Sequence, residues 1–289
     1  MKISFIGTGL MGFPMAKNLL KKKLDIKIFN RTLNKAQPLE IFGGKVKLSL
    51  SEAIKDVDFI FTMLTNDDAV DKVLGSTEFL NNLKTNSTVI DMSSVKPKTA
   101  IKWGKLLKEK DINFLDAPVS GGTIGAEQAN LAIMVGGEKK VFNNVFDVLK
   151  LMGNPTLVGP IGSGQISKLA NQIIVGVTIG AVAEAITLCE KAGVDANKFI
   201  NALSGGFADG KILQNHGKRM ISKDFSPKGK VSTHHKDMIN ILECADDLNT
   251  KLPISNLIYS MFESLVNNGN SNDDHSALYK EIERINKYK

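Results

Sequence analysis

At 289 residues, with 43% hydrophobic and 23% charged residues, the chain has the composition of a soluble globular protein of one large or two medium domains. Its net charge of +7, from 37 basic and 30 acidic residues, is scattered, and no basic segment is interleaved with aromatics, so no nucleic-acid partner is expected. The two cysteines, Cys189 and Cys244, lack metal-ligand spacing, which argues against a zinc centre or a disulfide framework and fits a reduced, cytoplasmic protein.

The first elements in the chain are the most informative. Lys2-Ile3-Ser4-Phe5-Ile6 reads as a buried strand, and Pro14 to Lys22 as a helix with Met15, Leu19 and Leu20 on one side. Between them lies Gly7-Thr8-Gly9-Leu10-Met11-Gly12, and a second strand follows at Ile26 to Phe29. Strand, G-x-G-x-x-G, helix and strand is the context of a dinucleotide fingerprint. The glycines allow a tight turn, and the helix N-terminus offers N–H groups to a pyrophosphate. An enzyme for NAD places Asp or Glu about 20 residues further on, against the ribose 2′-OH. Here Asn30-Arg31-Thr32 holds no carboxylate. The Arg31 guanidinium suits a 2′-phosphate and Thr32 adds a hydroxyl; the plain alternative is a solvated loop arginine.

Strands and helices keep alternating. Ser51 to Ile54 reads as a short helix, and Phe59 to Leu64, Thr88 to Asp91, Asn113 to Ala117 and Ala132 to Gly137 read as strands. Such alternation predicts a Rossmann-type α/β fold with a doubly wound, mainly parallel sheet. Ligands on these sheets bind beyond the strand C-terminal ends, where Leu64-Thr65-Asn66, Ser93-Ser94 and Ser120-Gly121-Gly122 fall.

The pattern changes at a hinge at about 160 to 164, dividing a dinucleotide-binding domain (1–162) from an all-helical domain (163–289). A helix of roughly 28 residues, about 40 Å long, starts near Gln165 and stops at Gly193. Leu169 to Leu188 is apolar enough to resemble a membrane span, but Asn171, Gln172, Glu184 and several small residues favour a helix buried between domains or subunits, with no membrane partner. Helices are also expected at Asp195 to Leu203, around Ile212 to Met220, and at His234 to Leu248, Ile254 to Asn267 and Asp274 to Lys287.

Lys168 lies one turn into the long helix, with Asn171 at i+3 and Gln172 at i+4 on the same face. A lysine in a cleft can donate a proton, although a solvated helix lysine is the commoner case. Other dehydrogenase chemistries fit poorly. No tyrosine precedes a lysine by four residues, and His234, His235 and His275 sit where capping and surface roles are expected.

Several ordered segments together resemble the β-hydroxyacid dehydrogenase family, which includes 3-hydroxyisobutyrate dehydrogenases, tartronate semialdehyde reductases and glyoxylate/succinic semialdehyde reductases. They are Phe5 to Ala16, Asp91-Met92-Ser93-Ser94, Asp116 to Gly122, Gly162 to Gln172, His235-Lys236-Asp237 and Asp274 to Leu278, and the resemblance spans nearly the whole chain. It implies that Lys168 is the catalytic lysine and that Ser120, Gly121 and Gly122 hold a substrate carboxylate. Asn171 would hydrogen-bond the substrate, with Gln172 in support. Gly7, Gly9, Leu10, Met11, Gly12, Asn30, Arg31, Thr32, Leu64, Thr65 and Ser94 would line the dinucleotide, and Lys236 would approach the cofactor or substrate, ordered by Asp237. No metal is implied. Thr65 stands where relatives often carry proline, and Arg31 resembles the NADP-preferring members. The implied activity is hydride transfer between NADP(H), with NAD(H) as the second choice, and a short semialdehyde or β-hydroxy acid. The pattern is most like tartronate semialdehyde reductase or glyoxylate/succinic semialdehyde reductase. The alternatives are an NAD-dependent 3-hydroxyisobutyrate dehydrogenase and a non-catalytic NADP-binding protein. A homodimer or homotetramer is expected.

Overall fold

The computed structural model describes residues 1–287; the last two lie outside the described residues. By internal contacts the chain divides into two units, Met1–Lys168 and Leu169–Lys289.

The first unit contains β1 (Lys2–Ile6), α1 (Gly12–Leu20), β2 (Asp25–Phe29), β3 (Lys45–Val46), α2 (Leu50–Ile54), β4 (Phe59–Thr62), α3 (Asp67–Leu74) and α4 (Thr77–Leu80). It continues with β5 (Thr88–Asp91), α5 (Pro97–Lys108), β6 (Asn113–Asp116), β7 (Val119–Ser120), α6 (Gly122–Glu127), β8 (Leu131–Gly136), α7 (Lys139–Lys150) and β9 (Gly153–Gly159). The nine-stranded sheet has the order β3-β2-β1-β4-β5-β6-β8-β7, with β9 paired to β8. Pairing is parallel from β3 through β6 and between β8 and β9, whereas β8 runs antiparallel to β6 and β7. The expected doubly wound α/β architecture is present, as a mixed and mostly parallel sheet.

Both faces of the central strands are covered. Ile3, Phe5, Phe61, Ile90 and Leu115 join a core with Met15, Leu19 and Val145, while Ile6, Ile60, Val89 and Phe114 join another with Ala53, Trp103 and Leu107. Residues alternate between the two cores because successive strand side chains point to opposite faces. Chain order reverses at β1, which lies between β2 and β4, so the loops after β1 and β4 meet at the topological switch point. Strand β9 escaped the sequence reading. Its Pro155 removes a ladder donor, and the strand is tolerated because it pairs on one side, with β8.

Helix α8 (Ser163–Lys191) starts in the first unit and ends in the second. It ends at Lys191, and Gly193 two residues on has a left-handed φ of +76° that lets Val194 N–H reach back to the Cys189 carbonyl. The second unit adds α9 (Ala196–Ala202), α10 (Lys218–Ser222), α11 (Val231–Asp247), α12 (Pro253–Asn267) and α13 (Leu278–Ile285). The helix expected around Ile212 to Met220 is instead a π-turn at Leu213–Gly217 followed by α10. Gly217 packs closely there: a Cβ would lie 2.9 Å from Ile200 Cδ1. The core joins Ile179, Val182 and Ile186 of α8 to Ile258, Phe262, Leu278 and Tyr279.

Among the described residues α8 alone is long and apolar enough to cross a membrane, by length and composition. Two of its small residues serve packing within the second unit. A Cβ on Gly176 would lie 2.6 Å from His234 Nε2, and one on Gly180 would lie 2.7 Å from Ile258 Cδ1.

Candidate active site

The turn after β1 is built around its glycines. Gly7 has φ +96°, and a Cβ there would lie 2.3 Å from the Met63 carbonyl. A Cβ on Gly12 would lie 2.0 Å from the Gly7 carbonyl. Gly9 faces open space, with no atom within 4 Å of its ideal Cβ. Helix α1 begins at Gly12 with no side-chain cap at Met11 and no acidic residue in its first turn. Leu10 is exposed and Met11 half-buried. An open helix N-terminus beside a glycine without a roof fits a dinucleotide pyrophosphate.

At the end of β2, Asn30 ties the turn together. Its Oδ1 accepts the Thr8 N–H at 3.0 Å and its Nδ2 donates to the Thr32 carbonyl at 2.8 Å. This leaves Arg31 and Thr32 exposed at the strand end. Leu64 N–H, after β4, donates to Ser93 Oγ at 2.9 Å; Thr65 is exposed and Ser94 half-buried. Ser120 is half-buried, and Gly121 and Gly122 are exposed with φ +141° and +61°, backbone that only glycine adopts readily.

Lys168 is buried, with 9% of its surface exposed. Two residues given no role from the sequence hold the start of its helix. Asp116, fully buried at the end of β6, accepts the Gly162 N–H at 2.7 Å and the Gln165 N–H at 2.8 Å. Burial pushes its carboxyl up to about 6, although both donors pull the other way. Gln165, also fully buried, accepts the Val95 N–H at 3.1 Å and donates to the Ser93 carbonyl at 2.8 Å. The available sequence signal was its i−3 spacing from Lys168; the partners are 70 and 72 residues away.

In the second unit Asn171 donates to Gln172 Oε1 at 2.8 Å, and Gln172 donates to Asp237 Oδ2 at 2.6 Å. The other Asp237 oxygen lies 3.1 Å from Lys236 Nζ. Asn171, Gln172, Lys236 and Asp237 thus form one polar chain, and Asp237 is 2% exposed.

The histidines depart from the expected surface roles. Helix α11 starts at Val231, three residues before His234, which places His234 inside the helix and 1% exposed. Its ring packs 4.6 Å from that of Phe262, and Gln172 Nε2 lies 3.5 Å from its Nδ1. His275 Nε2 lies 2.8 Å from His216 Nε2. His216, Asp274 and His275 have the composition of a metal site, with ligand atoms within 4.8 Å of one another. Asp274, however, already accepts four hydrogen bonds, from the N–H groups of Lys228, Gly229 and Ser276 and from Ser276 Oγ. A carboxylate offers about four lone-pair positions, so this one is committed to holding the turn before α13.

Residues 2–162 match the family described as the NAD-binding domain of 6-phosphogluconate dehydrogenase, and residues 162–282 match the NAD-binding domain of NADP-dependent 3-hydroxyisobutyrate dehydrogenase. The chain is 38% identical over 292 residues to 2-hydroxy-3-oxopropionate reductase of Escherichia coli, covering 100% of this chain and 99% of that one. It is 30% identical over 282 residues to the chloroplastic glyoxylate/succinic semialdehyde reductase 2 of Arabidopsis thaliana, covering 97% and 79% respectively. The structure of Mycobacterium tuberculosis 3-hydroxyisobutyrate dehydrogenase with L-serine superposes with a TM-score of 0.89 at 26% identity, covering 97% of this chain and 98% of that one. The glycine turn, the buried Lys168 and these full-length similarities lead to one conclusion: the chain belongs to the β-hydroxyacid dehydrogenase family of NAD(P)-dependent oxidoreductases.

Proposed function

We propose that this enzyme is an NADPH-dependent reductase of a short semialdehyde or 2-oxo acid, producing the hydroxy acid, and that its activity is most like that of 2-hydroxy-3-oxopropionate reductase. The observation that carries the reading is Lys168, a buried lysine one turn into α8, with Asn171 at i+3. When bound, the reduced nicotinamide supplies the hydride. Ser120 Oγ and the N–H groups of Gly121 and Gly122 hold the substrate carboxylate. The Lys168 ammonium donates its proton to the oxygen as the carbonyl becomes an alkoxide, and Asn171 hydrogen-bonds the substrate. Proton donation of this kind contributes about 10²–10⁴ in rate. Arg31 and Thr32 take the 2′-phosphate, Leu64, Thr65 and Ser94 line the dinucleotide, and Lys236 serves the cofactor. The working enzyme is a cytoplasmic homodimer or homotetramer.

The test is a kinetic panel: NADPH and NADH against tartronate, succinic and methylmalonate semialdehydes and glyoxylate. Turnover with NADPH, lost in Lys168→Ala, is the expected result. No turnover with any aldehyde overturns the substrate reading, and a Lys168→Ala variant with normal kcat overturns the lysine's role. A preference for NADH and methylmalonate semialdehyde would instead favour a 3-hydroxyisobutyrate dehydrogenase, the activity named for the M. tuberculosis structural relative.

A further inference from the structure

We propose that Asp116 and Gln165 are positioning residues for the reduction: together they fix the first turn of α8, and so place Lys168 against the strand ends that line the cofactor. The proposal rests on the reading of Lys168 as proton donor.

The start of a helix leaves its first N–H groups without intrahelical partners. Asp116 supplies acceptors to two donors there, Gly162 N–H and Gln165 N–H, one on each carboxylate oxygen. A cap is ordinarily local; this one is delivered from β6, 46 and 49 residues earlier in the chain. The space is shaped for it by glycine on both sides. A Cβ on Gly136 would lie 2.4 Å from Asp116 Oδ1, and one on Gly164 would lie 2.4 Å from the Met134 carbonyl and 2.7 Å from that of Asp116. The helix therefore starts in direct contact with the sheet, where no side chain could intervene.

Gln165 makes the second attachment. Its amide spans the loop after β5, accepting from Val95 N–H and donating to the Ser93 carbonyl. Ser93 in turn accepts the Leu64 N–H on its Oγ and donates its own N–H to Asp91 Oδ1 at 3.1 Å. The β4 and β5 loops and the first turn of α8 are thereby one hydrogen-bonded body, buried at Gln165 and Ser93. Gln165 and Lys168 are three apart and share a helix face. A shift of the first turn moves the lysine with it, and a misplacement of about 1 Å can cost roughly 10²-fold in rate.

The test uses the full-length chain and the panel aldehyde that it turns over. Gln165→Met keeps the volume and loses both amide hydrogen bonds. Asp116→Asn keeps the shape and turns one acceptor toward an N–H; it also serves if Gln165→Met does not fold. The expected result is a fall in kcat of about tenfold or more, with NADPH dissociation constant and binding stoichiometry within about twofold of wild type. In single-turnover NADPH oxidation on the Lys168→Ala background, either substitution should add less than about twofold. A normal kcat in a folded variant overturns the proposal. So does a loss that appears in NADPH affinity alone, or one that multiplies fully with Lys168→Ala, because the effect would then not run through the lysine. Normal turnover by Lys168→Ala itself, or no wild-type turnover, instead removes the lysine reading and the proposal with it.

Discussion

Gln172 donates its side-chain amide to Asp237 at 2.6 Å, joining α8 to α11 inside the helical unit. Asp237 is almost fully buried and also lies beside Lys236, while Gln172 accepts from Asn171. The amide that is proposed to meet the substrate is thus oriented through a neighbour whose own amide is held by a buried carboxylate.

Gln172→Leu removes the donor to Asp237 and the acceptor for Asn171 together. Loss of a hydrogen bond to a buried charged group costs about 1–3 kcal/mol. Urea unfolding should register that loss, and substrate KM should rise while the NADPH dissociation constant stays within about twofold. An unchanged KM would separate Asn171 from substrate binding.

Gly9 and Gly12 separate cofactor contact from folding. Gly9→Ala adds a Cβ in open space, so the melting temperature of the cofactor-free protein should hold while NADPH affinity falls about tenfold or more. Gly12→Ala drives a Cβ into the Gly7 carbonyl, so stability itself should fall, by about 1–3 kcal/mol. Thermal melts with and without NADPH, beside a fluorescence titration, distinguish the two. Tight NADPH binding by Gly9→Ala would show that the pyrophosphate does not cross this turn.

Arg31 stands exposed at the end of β2, with no carboxylate in the Asn30-Arg31-Thr32 turn. Arg31→Asp should remove the 2′-phosphate contact and repel that charge, lowering the NADPH-to-NADH preference in kcat/KM by roughly ten- to a hundredfold. An unchanged ratio would mean that the 2′-phosphate is recognised elsewhere.

Stability should depend on pH through groups of opposite sign. Burial, with His234 and His216 nearby, holds His275 well below its ordinary 6.5; burial lowers His216 as well. Their neutral forms contribute stability above pH 6.5 that is lost as pH falls toward the folded value. The slope is up to about 1.4 kcal/mol per pH unit for each histidine. Asp116 acts oppositely: raised from 3.8 to about 6 by burial, it favours the fold at low pH and loses that contribution as pH rises through about 6. Urea unfolding at pH 7.5, 6.5 and 5.5 should give a flatter profile for a His216→Gln, His275→Gln double variant than for wild type. Asp116→Asn should be steeper below pH 6. Parallel profiles for all three proteins would contradict the assignment.

Much of the fold was legible because its signals are local. The turn from Gly7 to Gly12 is written in glycines that allow a close-packed path closed to other residues, and the alternation of apolar strands with helices announced the α/β unit. Gly193 marked the end of α8 through the same local chemistry. Asp237 was named by resemblance and Gln172 by its i+4 spacing from Lys168, but spacing within α8 and α11 could not show that the two side chains meet.

What the sequence by itself determined was most of the strands and helices, the open glycine turn, the missing carboxylate after β2 and the family. Tertiary structure alone decided the reversal of β8 against β6, the burial of His234 and Lys168, and the capping of α8 by Asp116. The reason is the range of the forces. Backbone preference and hydrophobic period act over a few residues and can be read along the chain. Strand direction, desolvation and a cap contributed from 49 residues away exist only once distant segments have packed together.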